Sequence, residues 1–505
     1  MPHRRALLRA ALALAALPAP ADAAPADDTL RITWRDAITD LDPYRNQLRT
    51  GFVLAHHVWD CLVHRDPLTF QLRPLLAAMW RQESDTAWRF TLRPDLRFHD
   101  GSVCGPEDVV YTVATLRTGA GIAVPGLFTW LDDAEQTGAQ EVRLTLREPF
   151  PAALEYLAMV LPILPRGYRE RVGVAVFARA PVGTGPYRVV PATAPDQIRL
   201  DRFDGYFPGS PKGRPAIARI AIHQVSGAPA ELTDLLADRA DWIWQIGPEA
   251  FAAVAQAPGL QALRGESMRL GYLSIDAAGR SDPDTPLTDA KVRQAICYAI
   301  DRSTITQRLA GVAARIPDTP CFPTQFGCDA AAAVRYPYDP AHARALLAEA
   351  GHAEGFTTQL VSYVLEEDGA AVRSYLQAVG IAATLVQLPT AEALTRAEAG
   401  QAPLFLGSWG SYSINDVAAI LPQFFGGGPL DYARLPELQA LIAAAGHSGD
   451  ADIRRGLYAQ AIHRITEAAL WLPLHTDAAT YGLTRTLNFR PFADELPRFY
   501  LASWK

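Results

Sequence analysis

The chain has 505 residues, of which 49% are apolar and 20% are charged, and its formal net charge at pH 7 is −7. This composition is typical of a globular protein and excludes a disordered chain, a collagen-like fibre and a small disulfide scaffold. The acidic balance argues against a nucleic-acid binder that works through charge, and the length predicts about three domains.

The first 23 residues have the three regions of a secretory signal peptide. Arg4 and Arg5 give a basic start, residues 10–17 form an apolar run, and residues 21–23 read Ala-Asp-Ala before the expected cleavage. The apolar run is too short for a membrane span. The arginine pair is also typical of a twin-arginine signal, so Sec and Tat export both stay open. We therefore expect the mature chain in the periplasm.

The five cysteines leave at least one thiol unpaired. Cys321 and Cys328 flank a short loop, and in an oxidising compartment this arrangement predicts a disulfide. Cys61 and Cys104 are a second candidate pair, and Cys297 is predicted to be a small buried hydrophobe. Because no cysteine stands near the expected cleavage site, we expect no N-terminal lipid anchor.

Patterns of strands and helices alternate along the chain. Apolar and polar residues alternate at 88–93 and at 142–147, and each segment predicts a half-buried strand. Thr288 and Asp339 each precede a segment with helical apolar spacing, and we expect each of them to cap a helix. The mixture predicts an α/β fold in more than one domain.

Motifs of known enzyme chemistry are missing: there is no H-E-x-x-H, no G-x-S-x-G and no P-loop. Residues 183–185 begin like a dinucleotide loop, but Pro186 and a strand pattern follow, so the helix N-terminus that binds phosphate is absent. His56, His57 and His64 lack a paired ligand spacing, which favours structural roles. The acidic run 366–368 indicates a solvated loop. We expect no catalysis, no metal site and no cofactor.

A set of longer blocks carries a resemblance to one family. The blocks are LDPY at 41–44, VWDCLV at 58–63, LLAAMW at 75–80, WRFTLRP at 88–94, FHDGS at 98–102, EDVVY at 107–111, VGTGPY at 182–187, VRQAI at 292–296, AIDR at 299–302, YDP at 338–340 and ALLAEAG at 345–351. In content and order they resemble the family 5 extracellular solute-binding proteins of ABC importers, the peptide, nickel and oligopeptide type.

The resemblance implies a two-lobed type II periplasmic binding protein fold with an additional inserted domain. Domain I would be discontinuous, domain II would be inserted into it, and domain III would form the second lobe. Two chain crossings near Gly271 and Asp477 would act as a hinge for closure on the solute. The implied limits are 24–50, 180–270 and 478–505 for domain I, 51–179 for domain II and 271–477 for domain III.

The resemblance also places the ligand between lobes I and III. In this family a turn of domain III supplies a Trp and, three residues later in peptide binders, an Asp for the peptide ammonium. Trp409 matches the Trp, but Tyr412 stands at the Asp position. The slot of the Arg that binds a dipeptide carboxylate falls near Tyr363. Both charged anchors are therefore missing, and Asp416, Arg373 or an arginine of domain I are the candidates to replace them.

Aromatic stacking and backbone hydrogen bonds would hold a less charged solute instead. For Trp409, Tyr412 and Tyr363, packing in the core stays open as an alternative role. For Tyr44 and Arg45, a solvent-exposed surface position stays open. Trp242 and Trp244 are predicted to be core residues. The candidate ligand contacts are Trp409, Gly410, Ser411, Tyr412, Asp416, Tyr363, Tyr44 and Arg45.

We therefore predict a periplasmic binding protein that captures a peptide or peptide-like solute by lobe closure and delivers it to the transmembrane subunits of an ABC permease. The expected partners are a small solute and that permease, with no nucleic acid, and the protein is expected to act as a monomer. The alternatives are a binding protein for a metal chelate, an opine, an oligosaccharide or another small polar molecule, a sensory or chaperone-like binding protein, and an exported hydrolase.

Overall fold

The computed structural model describes residues 27–46, 48–192, 194–310 and 314–505, without the side chains of 308–310. The predicted export signal at 1–23 lies outside the described residues. The strands are β1 (Thr29–Trp34), β2 (Val63–Arg65), β3 (Leu72–Pro74), β4 (Ala77–Ser84), β5 (Ala87–Leu92), β6 (Leu131–Gln136), β7 (Glu141–Leu146), β8 (Tyr187–Val190), β9 (Gln197–Arg202), β10 (Arg219–Gln224), β11 (Trp242–Trp244), β12 (Leu260–Ile275), β13 (Phe356–Ser362), β14 (Ile381–Gln387), β15 (Leu404–Trp409), β16 (Trp471–Thr484), β17 (Leu487–Asn488) and β18 (Ser503–Trp504).

The helices lie between these strands and cover the faces of the sheets. They are α1 (Arg49–Val58), α2 (Pro106–Thr118), α3 (Ala153–Val160), α4 (Arg166–Val172), α5 (Val174–Phe177), α6 (Ala228–Leu236), α7 (Pro248–Gln256), α8 (Ala290–Ala299), α9 (Arg302–Ala310), α10 (Pro340–Glu349), α11 (Glu366–Ala378), α12 (Thr390–Glu398), α13 (Ile420–Phe425), α14 (Pro436–His447) and α15 (Ala451–Glu467). None of the helices in the described segments is both long and apolar enough to cross a bilayer.

A ten-stranded mixed sheet runs through the molecule in the order β14-β13-β15-β12-β16-β11-β1-β10-β9-β8. The long antiparallel strands β12 and β16 stand at its centre and pair along most of their length. β13, β14 and β15 pair in parallel on one side, and β1 pairs in parallel with β10 on the other. In the described part of the sheet, β12 and β16 are the strands that connect the two groups.

A separate four-stranded antiparallel sheet, β4-β5-β7-β6, lies within the segment predicted as domain II. In β7 the apolar residues at alternate positions are buried, and in β5 Phe90 and Leu92 are buried while Trp88 is half-buried, so both segments predicted at 88–93 and 142–147 form strands. Helix α2 packs against this sheet. The domain limits themselves remain a prediction.

The strands β12 and β16 change register where they pass from one group of strands to the other. The pairing is irregular between Glu266 and Leu270 and again between Gly271 and Tyr272, and Gly271 is paired with His475. A Cβ on Gly271 would lie 2.6 Å from the imidazole of His475, so only glycine permits this approach. The two predicted crossings, near Gly271 and Asp477, lie side by side on these strands.

Two local predictions are corrected. The helix expected to begin at Thr288 is capped by Asp289, whose carboxylate accepts from the Lys291 N–H at 2.7 Å, because residues 286–288 form a short 3-10 turn. The acidic run 366–368 is the first turn of α11 rather than a solvated loop. The other predicted cap, Asp339, accepts hydrogen bonds from two N–H groups of α10 and is confirmed.

The structure joins Cys321 and Cys328 in a disulfide with a Cα–Cα distance of 5.9 Å. Cys61, Cys104 and Cys297 are free and buried, so the second candidate pair is not formed. Burial raises the pKa of all three free thiols, which keeps them protonated and unreactive at neutral pH.

Candidate functional site

A cavity of about 630 Å³ opens where β12 and β16 pass between the two groups of strands. We call it the central cavity. Its volume is in the range of small-molecule sites. Its walls come from the central strands of the sheet and the segments that follow them. The lining residues are Trp244–Pro248 after β11, Arg269 and Gly271 on β12, Tyr363–Leu365 and Asp368 around the start of α11, Leu406–Ser408 on β15, Leu474, His475 and Asp477–Tyr481 on β16, and Glu495.

Arg269 and Glu495 line one part of the central cavity, and Arg49, which is not among the lining residues, pairs with the same Glu495 carboxylate. Arg269 donates to Glu495 through Nε and Nη2, both at 3.1 Å, and Arg49 Nη2 lies 3.2 Å from the same carboxylate. Burial would raise the pKa of Glu495, but the two guanidiniums outweigh it and lower the pKa to about 2. Burial lowers the pKa of Arg49, while the charge of Glu495 raises that of Arg269. Glu495 is therefore ionised at neutral pH.

The central cavity also has an acidic part, which adjoins Arg269: Arg269 Nε and Asp477 Oδ2 are 4.0 Å apart. Asp477 is about one-third exposed and lies 3.1 Å from His475 Nδ1, and its other oxygen accepts a 3.2 Å hydrogen bond from Ser408 Oγ. Asp368 is 8% exposed, and burial raises its pKa to about 6, helped by Asp477 and opposed by His475. Burial lowers the pKa of His475, but Asp477 and Asp368 raise it above its ordinary value.

Tyr363 lines the central cavity as a fixed wall. Its hydroxyl accepts from the Ser408 N–H at 2.8 Å and donates to the Ser408 carbonyl, and burial raises its pKa. Both of its hydrogen-bonding functions are thus used within the protein. The ring face remains as the part of Tyr363 that a solute meets.

The turn after β15 lies beside the central cavity, but its residues are not among those that line the cavity. Trp409 packs edge-to-face on Tyr412 and Phe424, with ring centroids 5.3 and 5.4 Å apart. Ser411, Tyr412 and Ser413 all have positive φ, which costs about 1–2 kcal/mol per residue. This strained turn is held by contacts from elsewhere in the chain.

Gly410 lies directly over the arginine pair. A Cβ at this position would be 3.1 Å from Arg49 Nη2, 3.2 Å from a Glu495 oxygen and 3.3 Å from Arg269 Nη2. Because glycine has no side chain, Gly410 leaves room for these charged groups to pack against its backbone. Gly410 itself is not among the residues that line the central cavity.

Asp416 lies outside the central cavity. Its carboxylate pairs with Arg454 at 2.7 Å, and both residues are buried. Burial raises the pKa of Asp416 to about 6, against the lowering effect of Arg454. The two residues line a second cavity of about 980 Å³ between residues 69–72 and 151–155 on one side and residues 324–329 and 449–455 on the other.

Tyr44 and Arg45 are not brought to the central cavity. The Tyr44 ring is buried on Phe128, and its hydroxyl donates to the Pro162 carbonyl at 2.5 Å. Arg45 is exposed and pairs with Asp40 at 2.7 Å. Arg373 is exposed on α11 and is not among the residues that line the central cavity.

Other candidate groups have structural roles. Trp242 is fully buried in the core, and Trp244 is buried with part of its surface on the cavity wall. His57 accepts from the Phe499 N–H and donates to the Val53 carbonyl, and burial lowers its pKa to about 3. Among the described residues no group of three metal-binding side chains comes together.

The sequence patterns did not single out the charged residues of the central cavity. Arg269, Asp477, Asp368, His475 and Glu495 come from four separate parts of the chain. A signal existed for two of them: Arg269 is an arginine of the segment predicted as domain I, and Asp477 marks the predicted second crossing. No local pattern distinguishes the other three, because their positions depend on pairing between distant strands.

The comparisons with known proteins agree with this architecture. The family model of bacterial extracellular solute-binding proteins, family 5, matches residues 71–431. A glutathione-binding protein GsiB of Salmonella paratyphi A is 26% identical over 476 residues, which cover 89% of each chain. A second GsiB, of Pectobacterium atrosepticum, is 28% identical over 64% of this chain and 61% of its own.

Solved structures share the fold. HbpA2 of Haemophilus parasuis superposes with a TM-score of 0.80 at 22% identity, covering 94% of this chain and all of its own. NikA of Brucella suis, in complex with Fe(III)-EDTA, has a TM-score of 0.82 at 22% identity over 94% of this chain and all of its own. These neighbours confirm the predicted α/β type II periplasmic binding protein fold.

The family model covers more than half of the chain. Its members are solute-binding proteins of ABC importers rather than enzymes. The chain therefore belongs to the bacterial extracellular solute-binding proteins, family 5.

Proposed function

We propose that this protein is exported to the periplasm, captures a peptide-like zwitterionic solute in the central cavity, and delivers it to the transmembrane subunits of an ABC permease. The observation that carries the proposal is the pairing of both charge signs in one cavity of about 630 Å³ that is walled from both sides of the β12–β16 crossing. The curated relatives named GsiB bind glutathione, which is a peptide-like solute of this charge type.

The charged residues of the central cavity can replace the two family anchors that this sequence lacks, the Asp for an ammonium and the Arg for a carboxylate. An ammonium or carboxylate enclosed without a partner costs several kcal/mol. Asp477 and Asp368 line the cavity and can neutralise an ammonium, and Arg269 lines it and can neutralise a carboxylate. A micromolar dissociation constant corresponds to about −8 kcal/mol, and a few such contacts with the Tyr363 ring are of the right size to supply it.

Lobe closure is supported by contacts to the strained turn after β15. Arg49 and Arg65 both donate to Ser413, the first to its hydroxyl and the second to its carbonyl. Glu155 accepts from the Asn415 N–H at 2.7 Å. These three donors and acceptors come from the segments predicted as domains I and II, and the turn belongs to predicted domain III. We take them as contacts of the closed form, around a hinge near Gly271.

The proposal is tested by native mass spectrometry of the gently purified protein, followed by calorimetry with a panel of glutathione, Met-Leu, mannopinic acid and nickel(II). We expect a co-purified zwitterionic peptide or amino-acid derivative and micromolar or tighter binding of one zwitterion. Binding of nickel(II) alone, or of none of the panel and no co-purified solute, would refute the proposal.

A blocking variant places the binding in the central cavity. Gly247 lines the cavity, its φ is −68°, and a Cβ there has no atom within 4 Å, so Gly247→Trp extends a side chain into open space. Gly126, which is exposed and equally open around its Cβ, is the matched control as Gly126→Trp. We expect the first variant to lose at least 30-fold in affinity and the second to bind like the parent protein.

A further inference from the structure

We propose that the central cavity is specific for solutes with an α-amino-acid head group, in which an ammonium and a carboxylate are attached to the same carbon atom. In this assignment Asp477 and Asp368 bind the ammonium and Arg269 binds the carboxylate. The inference rests on the proposed function and narrows it, because an ordinary α-peptide carries its two terminal charges on different residues.

Arg269 has donor capacity left for a solute. Its Nε and Nη2 atoms are bound to Glu495, while Nη1 makes no hydrogen bond within the described residues. The side chain is 28% exposed and lines the central cavity. Arginine presents its donors in a planar fork that suits a carboxylate. Glu495 and Arg49 hold this fork in place, so the solute meets an already oriented donor.

Asp368 is a second carboxylate that lines the central cavity and can receive the ammonium of a solute. The residue is more than nine-tenths buried and lines the cavity, yet its carboxylate has no hydrogen bond or ion pair within the described segments. Its position in the first turn of α11 offers the helix dipole as partial compensation. Burial raises the pKa of Asp368 to about 6 against the lowering effect of His475, and an ammonium bound beside it would reduce the cost of burying the charge further.

Asp477 faces the same space and is already oriented. His475 lies against one of its oxygens at 3.1 Å, and Ser408 donates to the other at 3.2 Å. The carboxylate is still 31% exposed. Each ionised oxygen accepts more than one hydrogen bond, so an ammonium can bind Asp477 without displacing Ser408.

The spacing of the charges selects the head group. Arg269 Nε and Asp477 Oδ2 are 4.0 Å apart, so the cationic and anionic anchors are immediate neighbours. A group with both charges on one carbon atom meets both anchors at once. In an α-dipeptide the ammonium and carboxylate belong to different residues, whose Cα atoms are about 3.8 Å apart with further bonds on each side. The rest of the central cavity then holds the remainder of the solute.

The test uses two isomeric tripeptides, which have the same composition and differ only in the linkage of their glutamate. In glutathione the glutamate is linked through its side chain, so its α-carbon keeps both the ammonium and the carboxylate; in α-linked Glu-Cys-Gly it keeps only the ammonium. Calorimetry on the full-length mature protein should show glutathione binding at least 30-fold tighter. Glutathione with that α-carboxylate converted to an amide should lose at least tenfold, a comparison that leaves the protein unaltered.

Variants identify the anchors. We expect Asp477→Asn and Asp368→Asn each to weaken glutathione binding at least tenfold, because both carboxylates are assigned to its ammonium; unchanged affinity in both variants contradicts that assignment. Asp452→Asn, an exposed carboxylate paired with Arg455 on α15, is the control and should bind like the parent. Equal affinity for the two tripeptides, or for glutathione and its amide, overturns this inference and leaves the proposed function standing. Failure of every zwitterion in the panel to bind, together with the absence of a co-purified zwitterionic solute, refutes the proposed function itself.

Discussion

Glu495 is the carboxylate on which the arginine side of the central cavity is built. It accepts from Arg269 at two positions and from Ser267 Oγ at 2.7 Å, and it lies 3.2 Å from Arg49. Glu495→Gln keeps the shape of the side chain and removes its charge. In this variant the guanidiniums of Arg49 and Arg269, which have little solvent around them, lose the negative charge that both of them contact. We therefore expect the variant to be less stable.

The size of the effect follows from the pKa of Glu495, which falls from 4.5 to about 2. One pKa unit corresponds to about 1.4 kcal/mol, so the ionised carboxylate contributes about 3 kcal/mol to the free energy of unfolding at pH 7. Removal of one partner from a buried ion pair costs about 3–5 kcal/mol, which agrees. Because the folded pKa is depressed, this contribution is present above pH 4.5 and is lost as the pH falls through about 2.

The assay is urea unfolding of the parent and the variant at several pH values. We expect a difference of about 3 kcal/mol at pH 7 that shrinks steadily below pH 4.5. Glu349→Gln is the control, because Glu349 pairs with Lys291 at 3.0 Å on the surface, with both side chains at least half exposed. Such pairs contribute less than about 1 kcal/mol. A difference for Glu495→Gln that is equally small, or that does not change with pH, would refute the reasoning.

Three further predictions concern other parts of the fold. Replacing Cys321 and Cys328 by Ser opens a short covalent loop and should lower the free energy of unfolding by about 2 kcal/mol in urea titrations, whereas an unchanged value contradicts a constraining bridge. Trp409→Ala should cost about 2–3 kcal/mol of stability because the ring packs on two aromatic neighbours; lost affinity with unchanged stability would instead favour direct solute stacking. Gly183→Ala would place a Cβ 2.0 Å from the Val58 carbonyl oxygen, and we expect about 3 kcal/mol lower stability in thermal unfolding. An unchanged stability would contradict this close approach of Gly183 to the Val58 carbonyl.

The turn after β15 shows the limit of prediction from sequence patterns. Trp409 and Tyr412 were identified from the family pattern, and the structure brings their rings together, but neither lines the central cavity. Asp416 was considered a replacement for the missing aspartate, yet its charge is taken up by Arg454. A sequence pattern reports which residues stand near a site, while the direction of each side chain depends on packing against partners far along the chain.

Asp368 is the opposite case. As one of three consecutive acids it resembles a solvated segment, and its two neighbours Glu366 and Glu367 are indeed exposed. The turn of α11 directs the third acid inward, against β16 with His475 and Asp477. Helical geometry separates successive side chains by about 100°, so one residue of an acidic run can be buried while its neighbours are solvated.

The sequence by itself determined the class of the protein. Its alternating apolar positions predicted the strands β5 and β7, Asp339 was recognised as a cap, and the content and order of the longer sequence blocks indicated the family. These features are local, because side-chain period and capping depend on neighbouring residues. Only the tertiary structure decided the charges of the central cavity. Arg269, Asp477 and Asp368 meet through the register of β12 on β16 and the placement of α11, and contacts between segments so far apart in the chain leave no local trace in the sequence.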